Sequence, residues 1–296
     1  MAEQISIRGA FDLHIHSTPS LFPRIADDRT VVEEARKAGM AGVMLKCHHQ
    51  STVERAQILQ DEYPDIGVYG GIVLNDYVGG LDPAVVEDAL RLGARQIWMP
   101  TIDARNHIAV HGARGTYDVQ KISDAFPEPE HRDPKGLSIH DPEGRLRTSV
   151  REILSLIACY GAILGTCHLG RQEIIDLVRE ARKAGIRNIL VTHPYFKVPA
   201  LCLGDLKTLT AMGATAEFGY CTVSPMWQYS TVQDVAHAIE EIGADRCIVM
   251  SDTGQRHNPM PHESLRVFAQ CLHECGLTVD QIELLMIKNP SRLLGL

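Results

Sequence analysis

No stretch of this sequence approaches the roughly 20 consecutive apolar residues of a membrane-spanning helix, and its first residues lack the apolar core of a secretory signal. An excess of positive charge is absent too. Lys and Arg number 29 against 37 Asp and Glu, giving a formal net charge of −8, which argues against non-specific nucleic-acid binding and against docking on acidic lipid. No Gly-rich dinucleotide fingerprint follows the first apolar run, and neither a Walker-type phosphate loop nor a Gly-x-Ser-x-Gly nucleophile elbow occurs. The eight cysteines are scattered, several inside apolar runs, as suits small buried hydrophobes in a reducing compartment. Cys271, His273 and Cys275 fall in a helical pattern whose i, i+2, i+4 spacing does not point all three one way, so they read as structural rather than as a zinc site. The expectation is a cytoplasmic protein that handles small molecules, without nucleic-acid or membrane partners.

What the chain does have is rhythm. Apolar, strand-like runs occupy 10–16, 41–48, 67–74, 94–99, 162–167, 188–192, 214–218 and 247–251, with helical patterns between them. Helix starts are marked by Ser51 with Glu54, by Asp82-Pro83 and by Thr278 with Gln281. Helix ends are marked by Gly39, Gly93, Gly185, Gly213, Gly243 and Gly276. The pentapeptide Ala35-Arg36-Lys37-Ala38-Gly39 recurs as Ala181-Arg182-Lys183-Ala184-Gly185, each time followed by a strand run. Eight strand–helix units predict an α/β fold, a (β/α)8 TIM-type barrel, and 296 residues suit it as a single domain. One unit breaks the rhythm. About 46 residues, 103–148, rich in Gly, Pro, Asp, His and Arg, follow the fourth strand, and a loop that long is expected to be a lid or an oligomer contact, with a passive insertion as the alternative.

Barrel enzymes carry their chemistry where the strands end. The first strand ends in His14-Ile15-His16, whose side chains project to one face about 6–7 Å apart along the chain, a spacing at which two imidazoles can share a divalent ion. The second strand ends in Lys46, Cys47, His48 and His49. The fifth ends in Thr166-Cys167-His168 and the sixth in Thr192-His193-Pro194. The seventh carries Glu217, and the eighth ends in Ser251-Asp252-Thr253-Gly254. With 14 histidines in 296 residues, chance would place one at only one or two of eight strand ends.

This order of residues resembles the amidohydrolase superfamily of metal-dependent barrel hydrolases. His14 and His16 after strand one, His168 after strand five, His193 after strand six and Asp252 after strand eight carry the likeness, and the closing Lys288-Asn289-Pro290-Ser291-Arg292-Leu293-Leu294-Gly295-Leu296 is similar to the last helix of many members. The Thr-Cys-His-Leu-Gly and Val-Thr-His-Pro stretches look most like a poorly characterised amidohydrolase-like group. The resemblance implies that His14, His16, His168, His193 and Asp252 are metal ligands. It also exposes a departure. Two-metal members usually bridge their ions with a lysine, often carbamylated, or a glutamate after strand four, and here that strand ends Trp98-Met99-Pro100-Thr101. Lys46 and His48, after strand two, are the candidates to reach the same mouth, so either one or two ions fit the pattern. Zinc is the first expectation, with manganese or iron as alternatives, because imidazole and carboxylate suit all three.

A divalent ion held in this way polarises a carbonyl and lowers the pKa of a water toward about 7. Asp252, His193 and Lys46 are the candidate catalytic groups, with Asp252 passing the water's proton to the leaving group. Arg24, Arg256 and Glu217 are candidate substrate contacts, the arginines suiting a carboxylate. The expected function is hydrolysis of an amide, imide, lactam or lactone bond in a small molecule. The alternatives are a decarboxylase or hydratase acting on a carboxylated substrate, a phosphoesterase, and a non-catalytic metal-binding protein. A homo-oligomer is the usual expectation for such barrels.

Overall fold

The computed structural model describes residues 4–117, 133 and 135–296. Nine parallel strand segments form in chain order: β1 (Phe11–His16), β2 (Gly42–Lys46), β3 (Gly67–Tyr69), β4 (Gly71–Val73), β5 (Gln96–Trp98), β6 (Ile163–Gly165), β7 (Ile189–Thr192), β8 (Thr215–Gly219) and β9 (Cys247–Met250). β3 and β4 are halves of one stave, β3 pairing with β2 and β4 with β5, so the nine segments make eight staves. The break falls at Gly70 because Thr52 docks there. Its backbone oxygen lies 2.4 Å from where a Cβ on Gly70 would sit, and its hydroxyl donates to the carbonyl of Leu45 at 2.7 Å while accepting from Gly71 N at 3.0 Å. β1 and β9 meet through His16 N to Thr253 O at 2.8 Å and Asp252 N to His14 O at 2.9 Å, which brings the last stave back to the first.

Two apolar layers hold this ring. The outer one packs the strands against the helices, as the amphipathic patterns predict, with Val31, Val32 and Ala35 from the helix Asp28–Lys37 and Ile174, Leu177, Val178 and Ala181 from the helix Arg171–Lys183. The repeated pentapeptide closes both helices, Gly39 and Gly185 taking left-handed φ values of 77° and 91°. The inner layer fills the end of the barrel where the strands begin, with Phe11, Leu13, Met44, Val73, Trp98, Ile163, Leu190 and Ile248 closed off by Leu293 and Leu294. Those two leucines belong to the terminal helix Asn289–Leu294, which is anchored by Asn289 Nδ2 to the carbonyls of Ala244 and Cys247, both at 2.8 Å. All eight cysteines are free, and none of the described helices is long and apolar enough to cross a membrane.

Local signals held with one exception. Asp82 accepts from Ala84 N ahead of Pro83, and Thr278 with Gln281 forms the reciprocal cap. At the second helix the N-cap is Thr52, not Ser51. The Thr52 hydroxyl is already committed to the strand ladder, so Ser51 and Glu54 bond each other at 2.7 Å instead. The insertion begins with a helix, Arg105–His111, and docks through Arg114, which donates to Asp76 at 2.7 Å and to buried Asp103 at 2.8 Å. The expectation of a lid falls largely on 118–132 and 134, outside the described residues.

Candidate metal centre

The mouth of the barrel, where the strands end, gathers the predicted residues. His14, His16, Arg24, Lys46, His48, His168, His193 and Asp252 all line one pocket, together with Phe22, Tyr117, Phe196, Cys221, Trp227 and Gln255. Glu217 and Arg256 are not among them. Glu217 is fully buried on β8 with no hydrogen bond of standard geometry, and Arg256 stands behind Arg24, donating to its carbonyl at 3.4 Å.

Backbone irregularities aim these side chains. The β1–β2 register shifts between Asp12 and Ile15, a bulge that lets His14 and His16 both face inward. Asp12 fills the resulting gap in the ladder, its Oδ1 accepting from Ser251 N at 3.0 Å and His14 N at 3.3 Å. Cys167, His193 and Asp252, each just past a strand, adopt left-handed φ values of 49°, 31° and 50°. Non-glycine residues pay for that conformation, and such strain concentrates at functional sites. Gly254 permits the tight return after Asp252, since a Cβ there would lie 1.7 Å from the carbonyl oxygen of His16.

Hydrogen bonding assigns protons within the cluster. A carbonyl only accepts, so the contact of 3.1 Å between His16 Nδ1 and Lys46 O places the proton on Nδ1. Burial drives the His16 pKa well below its ordinary value, so the ring is neutral and its Nε2 carries a bare lone pair. That lone pair faces Asp252 Oδ1 at 3.2 Å, and His14 Nε2 faces the same oxygen at 3.1 Å. Although burial opposes it, the Asp252 carboxyl lies well below the usual carboxylate range. Bare imidazole nitrogen and carboxylate oxygen repel unless a cation lies between them. Among the described residues, His14, His16 and Asp252 form the one such cluster, with ligating atoms all within 4.8 Å of one another. Ligands about 2.0–2.2 Å from one zinc ion stand roughly 3.3–3.5 Å apart, close to the spacing of each histidine from Asp252. The donor set fits a divalent ion. The Nδ1–H of His16 on a backbone carbonyl is also the bond that metal-ligating histidines make behind the ligand.

The other groups surround this cluster. Lys46 Nζ reaches His14 Nε2 at 3.0 Å and lies 3.7 Å from Cys167 Sγ. His193 stands between His14 and His168, with ring centroids 6.1 and 5.1 Å away, and burial lowers its pKa to about 3. His48 stacks on His16 at 4.9 Å, with Nδ1 2.8 Å from the Thr101 hydroxyl, which Asn75 also holds. Two further acids are present, but burial raises Asp12 to about 7 and Glu217 to about 8, which leaves Asp252 as the firmly ionised carboxylate. Arg24 is a buried cation that forms no salt bridge among the described residues, and its Nε meets no acceptor there. Asp12, His107, Tyr117, Cys221 and Gln255 went unread in the sequence. For Asp12 a signal was present, an acid inside an apolar strand next to the histidine pair; the others lie in short segments just past strand ends or in the insertion, where periodicity is silent.

Solved structures share this architecture. An amidohydrolase from Pseudomonas aeruginosa is 15% identical over 96% of this chain and 95% of its own, with a TM-score of 0.57. An amidohydrolase from Burkholderia multivorans is 10% identical over 97% and 99%, with a TM-score of 0.60. A phosphotriesterase homology protein from Escherichia coli, solved with phosphate in its active site, is 13% identical over 98% and 100%, with a TM-score of 0.57. At such identities the likeness is one of fold, and the fold is the amidohydrolase-type barrel expected from the sequence. A search of curated protein sequences gave no match. Residues 9–217 match the model of DUF6282, described as a family of unknown function, and the chain belongs to that family.

Proposed function

We propose that this protein is a metal-dependent hydrolase that cleaves an amide, imide, lactam or lactone bond in a small molecule bearing an anionic group. The observation that carries this reading is the convergence of two imidazole nitrogens, that of His16 bare, on the ionised Asp252 at the mouth of the barrel. Bound to His14, His16 and Asp252, a divalent ion (zinc first, manganese or iron otherwise) supplies Lewis acidity toward a carbonyl oxygen and acidifies a water toward about pKa 7.

The chain's own groups do the rest. Asp252, whose carboxylate resists protonation, takes the proton of the attacking water and returns it to the leaving group. His193 and His168 are neutral and face the same pocket, where they hold the substrate carbonyl and either complete the ligand set or orient the reacting group. Lys46, against His14, places positive charge where negative charge develops. Phe22, Tyr117, Phe196 and Trp227 wall the pocket and exclude water from the charges within. An unpaired buried guanidinium costs several kcal/mol, and an anionic substrate group offsets that cost on binding. Arg24 therefore favours carboxylated or otherwise anionic substrates.

The same arginine supports a second reading, a decarboxylase or hydratase acting on a carboxylated substrate. The test is to load the protein with zinc or manganese and assay carboxylated lactones, lactams and N-acyl amino acids, following ring opening, amine release and CO2 separately. Hydrolysis that is lost on chelation and regained with metal supports the proposal. CO2 release or reversible hydration without hydrolysis moves the protein to the lyase reading.

A further inference from the structure

The insertion reaches the pocket through His107, a residue fully buried in the helix Arg105–His111. Its Nε2 lies 3.0 Å from the carbonyl oxygen of Thr116, and its Nδ1 lies 2.9 Å from Nδ1 of His168, the two ring planes inclined by only 13°. The neighbouring Asn106 donates to the carbonyls of His168 and Leu169, both at 3.4 Å, so two successive residues hold His168 by ring and by backbone.

Donor and acceptor rules determine the protons. The Thr116 carbonyl only accepts, so His107 Nε2 carries a hydrogen. Among the described residues no carboxylate pairs with either ring, and His107 is fully buried, a setting that disfavours an imidazolium. A neutral His107 protonated on Nε2 is bare on Nδ1, and the only hydrogen that can fill the bond of 2.9 Å is that of His168 Nδ1. His168 lines the pocket by its remaining edge. We infer that His107 is a positioning residue: it accepts from Nδ1–H of His168, fixes that tautomer, and presents the bare Nε2 of His168 to the pocket. The relay runs from the Thr116 carbonyl through two imidazoles, and every protein group in it before the pocket belongs to the insertion except His168. The insertion thereby acts on the site from behind a histidine rather than over the substrate. A backbone carbonyl behind His16 and a histidine behind His168 do the same job on two sides of the pocket.

The test reads the tautomer directly in metal-free protein labelled with 15N-histidine, using two-bond proton–nitrogen correlations, with the His168 signals identified by their disappearance in His168→Gln. The expected spectrum has His168 protonated on Nδ1 and bare on Nε2; a proton on Nε2 overturns the inference. In His107→Leu the preference is expected to be lost, and zinc affinity measured by chelator competition to fall by about 10–100-fold. His107→Gln, whose amide can accept from His168 and donate to Thr116, is expected to restore most of both. A Leu variant that keeps the tautomer and the affinity overturns the assignment, and if that variant does not fold, the wild-type spectrum decides alone. Only the affinity arm rests on the proposed metal site. Failure of the hydrolase reading leaves the tautomer result unaffected.

Discussion

The two ends of the barrel interior are built from opposite materials. Where the strands begin, Phe11, Leu13, Trp98, Ile163, Leu190, Ile248, Leu293 and Leu294 pack as an apolar layer, interrupted by the orphaned Gln96 amide and the Trp98 indole nitrogen. Where the strands end, five histidines, a lysine, an arginine and an aspartate crowd one pocket, and polar atoms of His14, Arg24 and His193 find no partner among the described residues. Each buried, unsatisfied polar group costs about 1–3 kcal/mol. A single interior that is well packed at one end and penalised at the other teaches where stability is made and where it is given up for binding. Trp98 sits at the boundary, fully buried, with Lys46 Nζ 5.4 Å above its ring.

The contrast can be broken from below. Trp98→Ala removes the largest fully buried side chain of the inner layer and is expected to lower unfolding free energy by about 3–5 kcal/mol in denaturant titrations. The folded fraction should still bind metal with the stoichiometry of the wild type. Broken from above, the sign reverses. Arg24→Leu replaces a buried cation that has no salt bridge among the described residues by an apolar group, and such replacements are neutral or stabilising by about 1–4 kcal/mol. Its melting temperature should hold or rise while binding of carboxylated ligands, followed by calorimetry, falls. A fall in stability without loss of ligand binding would place Arg24 with the structural end of the molecule. The smallest effect is expected away from both ends. Thr278→Ala removes an N-cap acceptor for Gln281 N on the surface and should cost about 1 kcal/mol, with no change in metal binding.

Legibility followed the same division. The alternation of strands and helices, their caps and their glycine stops were open to reading because each depends on a few adjacent residues. The break in the third stave was not, since it follows from Thr52 docking against Gly70 from a distant loop. At the mouth, the histidines of His14-x-His16, His168 and His193 could be placed because residues at strand ends must face the site. Arg24 and Arg256 looked equivalent as sequence, yet one lines the pocket and the other supports the first from behind. Arg24 itself comes from the loop after β1, fixed by a bridge to Gln255. His107 lay beyond reach for the same reason. Its partner is 61 positions away, and only the docking of the insertion brings the rings together.

The most direct measurement is metal content per folded chain by elemental analysis, on protein purified with added zinc or manganese, beside His16→Asn and Asp252→Asn. About one tightly held ion in the wild type, falling toward none in both variants while their folds persist, is the result this account requires. A second ion that disappears on Lys46→Ala would extend the centre to a pair. A folded wild type that holds no ion, or one whose ion is indifferent to Asp252, would contradict the metal centre on which the proposed hydrolysis depends.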